Sequence, residues 1–183
     1  MHSIRHGAVA IAALALAAAV PATLAAQSGE ALIQKLGVST PVPNPTFPAD
    51  KTVEYKVLWD VTGAAATPSD ITPGMARPAN FLVMADANGL DRKRVHLALI
   101  IHGAAITSVL ANEQYKTATG VDNPNIALMQ AMADAGVQII ACGQAMAGRK
   151  ISREQLLPFV KVATSATMAR ATLHAQGYAT FTP

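Results

Sequence analysis

The chain has 183 residues, of which 51% are apolar, 14% charged and 4% aromatic, with a formal net charge of +3. That length fits one ordinary domain, and charge this sparse excludes a disordered chain. A single cysteine excludes a disulfide framework or a cysteine-based zinc site within the chain. So few aromatic rings argue against a stacking platform for single-stranded nucleic acid.

Residues 1–26 have the three-part pattern of an export signal. Arg5, with His2 and His6 nearby, supplies the positive start. Ala8–Val20 is unbroken and apolar, and Pro21 and the small residues of PATLAAQ follow. A membrane anchor is the weaker reading, because about 20 apolar residues are needed to span a bilayer. Cleavage after Ala25 or Ala26 is expected, leaving a soluble protein in the periplasm or outside the cell. Its one thiol, Cys142, then meets an oxidising compartment without a partner in its own chain.

Residues 27–50 read as a short helix, Gln27–Leu36, followed by an extended arm. Pro41, Pro43, Pro45 and Pro48 set its φ angles and remove backbone donors. Residues 51–183 carry the α/β domain. Val53–Val61 alternates as a first strand, and Thr62–Ala76 is a long loop. Arg77-Pro78 opens a helix that Gly89 ends. Arg92-Lys93-Arg94 is a tight basic cluster, read as a solvated turn before a strand. Val95–Ile101 is continuously apolar, as in a strand covered on both faces. Helices are expected over Ala105–Tyr115 and about Pro124–Ala135, the latter capped by Asn123 or Asp122.

Val137–Cys142 is the third strand, and GQAMAGRKI is read as a connection. Ser152 and Gln155 make a capping box. Phe159–Ala163 is the fourth strand, and Ser165–Gln176 the last helix, capped by Thr164 or Ser165. Tyr178–Thr182 is a short terminal strand. Met129 and Met132 stand at helical spacing and read as core.

Strands separated by helices imply a three-layer α/β fold: a mostly parallel, five-stranded, flavodoxin-like sheet with helices on both faces. In such sheets the chemistry gathers at the carboxyl ends of the strands, where Asp60, His102 and Cys142 fall. With the flavodoxin order 2-1-3-4-5, the switch point lies between strands one and three. His102 would then stand about 10 Å from Cys142, two strand spacings away. Cys142, followed by Gly143 and then by Arg149 and Lys150, is the leading nucleophile, since cationic neighbours and helix starts favour a thiolate. A buried, inert core residue is the competing reading. His102 reads as a proton acceptor or orienting group, or as a histidine satisfied by backbone. Asp60 reads as structural, accepting bonds from the following loop. Nucleophile elbows, C-x-x-C, Walker loops and G-x-G-x-x-G after a strand are absent from the sequence.

Three stretches, VHLALIIHGAA, NPNIALMQAMADAGVQIIACGQAMA and ISREQLLPFVKVATSATMARATLHAQGYATF, together resemble the DsrE/DsrF-like family of sulfur-relay proteins, its exported members most closely. The most specific pieces are His102-Gly103, Ala135-Gly136-Val137 leading to Cys142-Gly143-Gln144, and Gln176-Gly177-Tyr178. The resemblance implies a small α/β domain in homotrimers or hexamers. It implies that Cys142 matches the position carrying sulfane sulfur as a persulfide, with thiol-bearing proteins as donor and acceptor. It calls for no cofactor, metal, nucleic acid or, after signal cleavage, membrane. The expected function is that of a periplasmic sulfur carrier or sulfurtransferase. The alternative is a non-catalytic oligomeric small-ligand-binding module with an inert cysteine, and a third reading is a disulfide between chains at Cys142.

Overall fold

The computed structural model describes residues 22–181. The expected export signal lies mostly outside the described residues. Helix α1 (Ala22–Leu36) contains the expected Gln27–Leu36 segment and is part of the domain: it packs on the helical layer with Ile33 fully buried, and Gly37 closes it. Beyond it the proline arm runs over the surface, with Phe47 94% exposed.

Five parallel strands form the sheet: β1 (Tyr55–Val61), β2 (Val95–Ile101), β3 (Gln138–Cys142), β4 (Lys161–Ala163) and β5 (Ala179–Phe181). Their order is β4-β3-β2-β1-β5, in place of the expected flavodoxin order. The chain therefore steps outward from β1 to β4 and then returns across the whole sheet to pair β5 with β1. Right-handed crossovers turn this order into layers. Steps in one direction place α2 (Arg77–Ala87), α3 (Asn112–Thr119), α4 (Ile126–Asp134) and α5 (Gly143–Gly148) on one face. The single step back places α6 (Ala166–Ala175) on the other.

Strand alternation sorts side chains to these two faces. Val57, Trp59, Val61, Leu99, Ile101 and Ile139 enter the larger core with Leu82, Leu128, Met129 and Met132 from the helices. Both methionines are fully buried, as their spacing predicts. Leu58, Ala98, Ile100, Ile140 and Cys142 meet Ala166, Ala169 and Leu173 of α6 in the smaller core. The continuous apolar run in β2 is explained directly: it is the middle strand, packed on both faces.

Local departures have local causes. The segment expected as one helix over Ala105–Tyr115 splits into a 3-10 helix at Gly103–Val109 and then α3. Leu110 breaks it by bridging to Leu156, while Asn123 Nδ2 donates to the Ser108 and Leu110 carbonyls at 2.8 Å. The N-cap position of α4 falls on Asn125, which makes no side-chain cap bond, while Asn123, one of the two expected caps, accepts Asn125 N through Oδ1 at 3.0 Å. GQAMAG is the short helix α5 and not an open connection, whereas the Ser152/Gln155 capping box forms as expected.

The basic cluster Arg92–Arg94 is a 3-10 turn before β2, and its first member is paired. Arg92 Nε donates to Asp86 Oδ1 at 2.6 Å and its Nη2 to Asp86 Oδ2 at 2.6 Å, with Glu30 of α1 at 3.3 Å. The Arg92 hydrogen bond holds the Asp86 carboxyl below its ordinary value of 3.8. A lowered carboxyl stabilises the fold above its unfolded value and loses that contribution as pH falls through the folded one. The pair is solvent-screened, so Asp86→Asn should cost under about 1 kcal/mol at pH 7. That difference should vanish in acid below the folded value, as urea unfolding at both pH values would measure.

Candidate functional site

Adjacent strands β3 and β4 send their chains to opposite faces, β3 into α5 and β4 into α6. That divergence is a topological switch point, where open α/β sheets place their ligands. It lies one strand pair from where the flavodoxin order predicts it, but it still borders Cys142. Cys142 pairs in register with Ala163, the last residue of β4. The two departing chains nearly touch: a Cβ at Gly143 would stand 2.7 Å from the Ala163 carbonyl and 3.2 Å from that of Thr164. Only glycine lets β3 end beside β4 in this way.

Cys142 Sγ points to the α6 face and is buried, the residue being 5% exposed. Its polar partner is the first backbone N–H of α6: Ala166 N donates to Sγ at 3.2 Å. Ser165 caps the same helix by accepting from Met168 N at 3.1 Å. Helix N-terminal N–H groups are unsatisfied within the helix and favour negative charge on what they meet. Arg149 and Lys150 do not serve the thiol as expected. They stand past the far end of α5, about 9 Å along its axis by the rise per residue, beside Glu113 and Gln114. As the leading nucleophile, the thiol should be open to water. The fold instead covers it with the β4–α6 junction.

His102 comes much closer to Cys142 than the flavodoxin order implies. The β2–β3 register pairs Ile101 with Ala141, so His102 and Cys142 are the next residues on neighbouring strands. Carrying that register on by one residue sets their backbones one strand spacing apart, about 4.8 Å, instead of two. The strand order brings this about, and Gly103 then lets the chain leave β2 close to Thr62: its φ is +57°, and a Cβ there would lie 2.9 Å from the Thr62 carbonyl. Asp60 projects to the same face from β1. It is a buried carboxylate, its side chain 4% exposed, and it accepts from Arg170 Nη1 of α6 through Oδ2 at 2.5 Å. Its other oxygen, Oδ1, faces His102 Nε2 at 3.5 Å, and neither of these two buried atoms has a hydrogen-bond partner.

Three of these four residues are readable as candidates from the sequence. Arg170 is not among them. It falls with Ala166, Ala169 and Leu173 on the stripe of α6 that meets the sheet. A cation on a core-facing stripe needs an acidic partner, and Asp60 in an otherwise apolar strand is that partner. Asp60 thus bonds across the sheet face to α6, and not to the following loop. Beside the cluster, a groove of about 340 Å³ runs between the β3–β4 edge and α6. Ile140, Ala163 and Ala169 belong both to its wall and to the packing around Cys142.

The site is therefore a thiol at the switch point of a parallel sheet, under a helix N-terminus and next to a histidine. The sequence matches the DsrE/DsrF-like family over residues 57–183, and the chain belongs to that family. No curated protein matches it. Among solved structures, it is similar to a protein of unknown function, MTH1491, from Methanobacterium thermoautotrophicum. Identity is 16% and the TM-score 0.52, covering 70% of this chain and 99% of that one. It is also similar to the ychN protein from E. coli, at 20% identity and a TM-score of 0.45, covering 69% of this chain and 99% of the other. The first of these supports the fold.

The close approach at Gly143 is testable. Gly143→Ala should lower stability by about 1–3 kcal/mol, because backbone atoms must move to admit the methyl group. Gly148→Ala is the control: a Cβ there meets nothing within 4 Å. Its effect should stay within about 0.5 kcal/mol in the same urea titration.

Proposed function

We propose that this protein is an exported sulfur carrier that holds sulfane sulfur as a persulfide on Cys142. The observation that carries the reading is the placement of the chain's one thiol at the β3–β4 switch point, with Sγ accepting the first N–H of α6. Family membership supports it, because the matched region contains the whole site. The chemistry needs one thiol. The Cys142 thiolate attacks the outer sulfur of a donor persulfide, R–S–SH, giving Cys142–S–SH and releasing R–S⁻. An acceptor thiolate then attacks the same outer sulfur and leaves the Cys142 thiolate. His102, on the neighbouring strand, is the proton acceptor or orienting group. The groove beside Ala163 and Ala169 offers the approach, and opening of the β4–α6 junction would complete it.

The burial of Cys142 favours one second reading, an oligomeric ligand-binding module with an inert thiol. Two measurements on the purified protein separate them. Exposure to polysulfide should add about 32 Da, one sulfur atom, to wild type and nothing to Cys142→Ser. Iodoacetamide should label native Cys142 without denaturant. No added sulfur, with labelling only after unfolding, would leave the binding module.

Export and assembly belong to the same proposal. The charge, apolar run and small residues of 1–26 support a cleaved signal. Membership of the DsrE/DsrF-like family supports assembly of copies, as trimers or hexamers. Protein recovered from a periplasmic fraction should begin at Ala26 or Gln27 and have a native mass of three or six chains. An uncleaved chain in the cytosol, or a monomer, would remove that part.

A further inference from the structure

A buried carboxylate that uses only one of its oxygens requires explanation, because each unpaired buried polar atom costs free energy. Asp60 Oδ2 is taken by Arg170 Nη1, which also balances its charge across the sheet face. Oδ1 is left facing His102 Nε2 at 3.5 Å, and both atoms lack partners. A small rotation of the imidazole joins the two, and both orphans are satisfied at once. This works in one protonation pattern only. An ionised carboxylate oxygen is an acceptor, so Nε2 must carry the hydrogen. The neutral ring then has a bare Nδ1. Nε2 is sealed, while the side chain as a whole is 24% exposed, so solvent meets the rest of the ring.

We propose that Asp60 and Arg170 are positioning residues that hold His102 in the Nε2–H tautomer, making Nδ1 the proton acceptor for the Cys142 thiol. This rests on the carrier reading for its purpose, though not for its geometry. The group facing the imidazole is Asp60 from β1, itself held by Arg170 from α6, and Cys142 ends the neighbouring strand β3 on the same face of the sheet. The proton balance closes. Cys142 S–H passes its proton to Nδ1, and the imidazolium is stabilised by Asp60. The thiolate attacks the outer sulfur of R–S–SH to give Cys142–S–SH and R–S⁻. The imidazolium then returns the proton to R–S⁻, which leaves as R–SH. Arg170 has a second effect: by claiming one carboxylate oxygen, it dictates which oxygen His102 sees.

That effect makes the test specific. In Asp60→Asn, Arg170 can bond only to the amide oxygen. The amide NH₂ is then turned toward His102, which forces a bare Nε2 and a hydrogen on Nδ1. In the double variant Asp60→Asn with Arg170→Met, the amide is free to turn its oxygen to Nε2 and restore the original tautomer. The measurements are ¹⁵N resonances of the labelled imidazole and the rate of iodoacetamide labelling at pH 7, on the full chain, with thermal melts as a check on folding.

Wild type should show Nε2–H with bare Nδ1. Asp60→Asn should show the opposite tautomer and label on the order of 100-fold more slowly, the low end of what a positioned base supplies. The double variant should recover both. A purely structural salt bridge would not give this reversal. Nδ1–H in wild type overturns the inference, as does an Asp60→Asn protein with unchanged tautomer and rate. If Asp60→Asn does not fold, the wild-type tautomer together with the labelling rate of His102→Gln decides: an Nε2–H ring with a slowed His102→Gln supports it, and any other result overturns it. Failure of polysulfide to add mass to Cys142 would sink the carrier reading while leaving the tautomer result intact.

Discussion

Right-handed crossovers constrain how a parallel sheet can be wrapped, and most of this molecule follows from one reversal of direction. The strands advance β1, β2, β3, β4 with their helices on one face. The return from β4 to β5 must then cross on the other face, so α6 covers it alone. Its N-terminus starts where β4 ends, beside the end of β3. A helix start therefore arrives over Cys142 as a consequence of topology. The same helix, crossing back, carries Arg170 over the sheet to Asp60 on β1.

Burial and reactivity pull in opposite directions at this site. Water exclusion strengthens the hydrogen bond from Ala166 N to Sγ and the Asp60–Arg170 pair, because the local dielectric is low. It also removes the thiol from any partner protein. The two demands are compatible if the cover is thin, and here the cover is the short junction between a three-residue strand and α6. Beneath the other face, Ile33, Leu99, Met129 and Met132 are fully buried in one continuous core.

Much of the architecture is legible in the residues. Period-two alternation marks β1, and the continuous apolar run marks β2 as a doubly covered strand. Glycine and capping residues bound the helices near where they fall, as with Gly37, Gly177 and Ser165. The split of Ala105–Tyr115 into two pieces was not legible. It depends on the Leu110–Leu156 bridge and the Asn123 side chain, contacts made across 46 and 13 residues that no local window contains. The short helix α5 was missed because Gly143 and Gly148 bracket it. Both read locally as punctuation, while at Gly143 the real requirement is the nearby Ala163 carbonyl.

At the site, residue chemistry and strand endings determined the candidates: a lone thiol, a histidine and a carboxylate, each at or beside the carboxyl end of an apolar strand. Strand order was decided elsewhere, because pairing is a long-range choice among segments that look alike locally. Only the tertiary structure put β2 between β1 and β3, bringing His102 within one strand of both Asp60 and Cys142. Only it recruited Arg170, whose helix docks through packing with residues 110 positions away. The chain by itself named the reactive groups; the assembled sheet chose their neighbours, since adjacency in a parallel sheet is set by crossover connections and not by distance along the sequence.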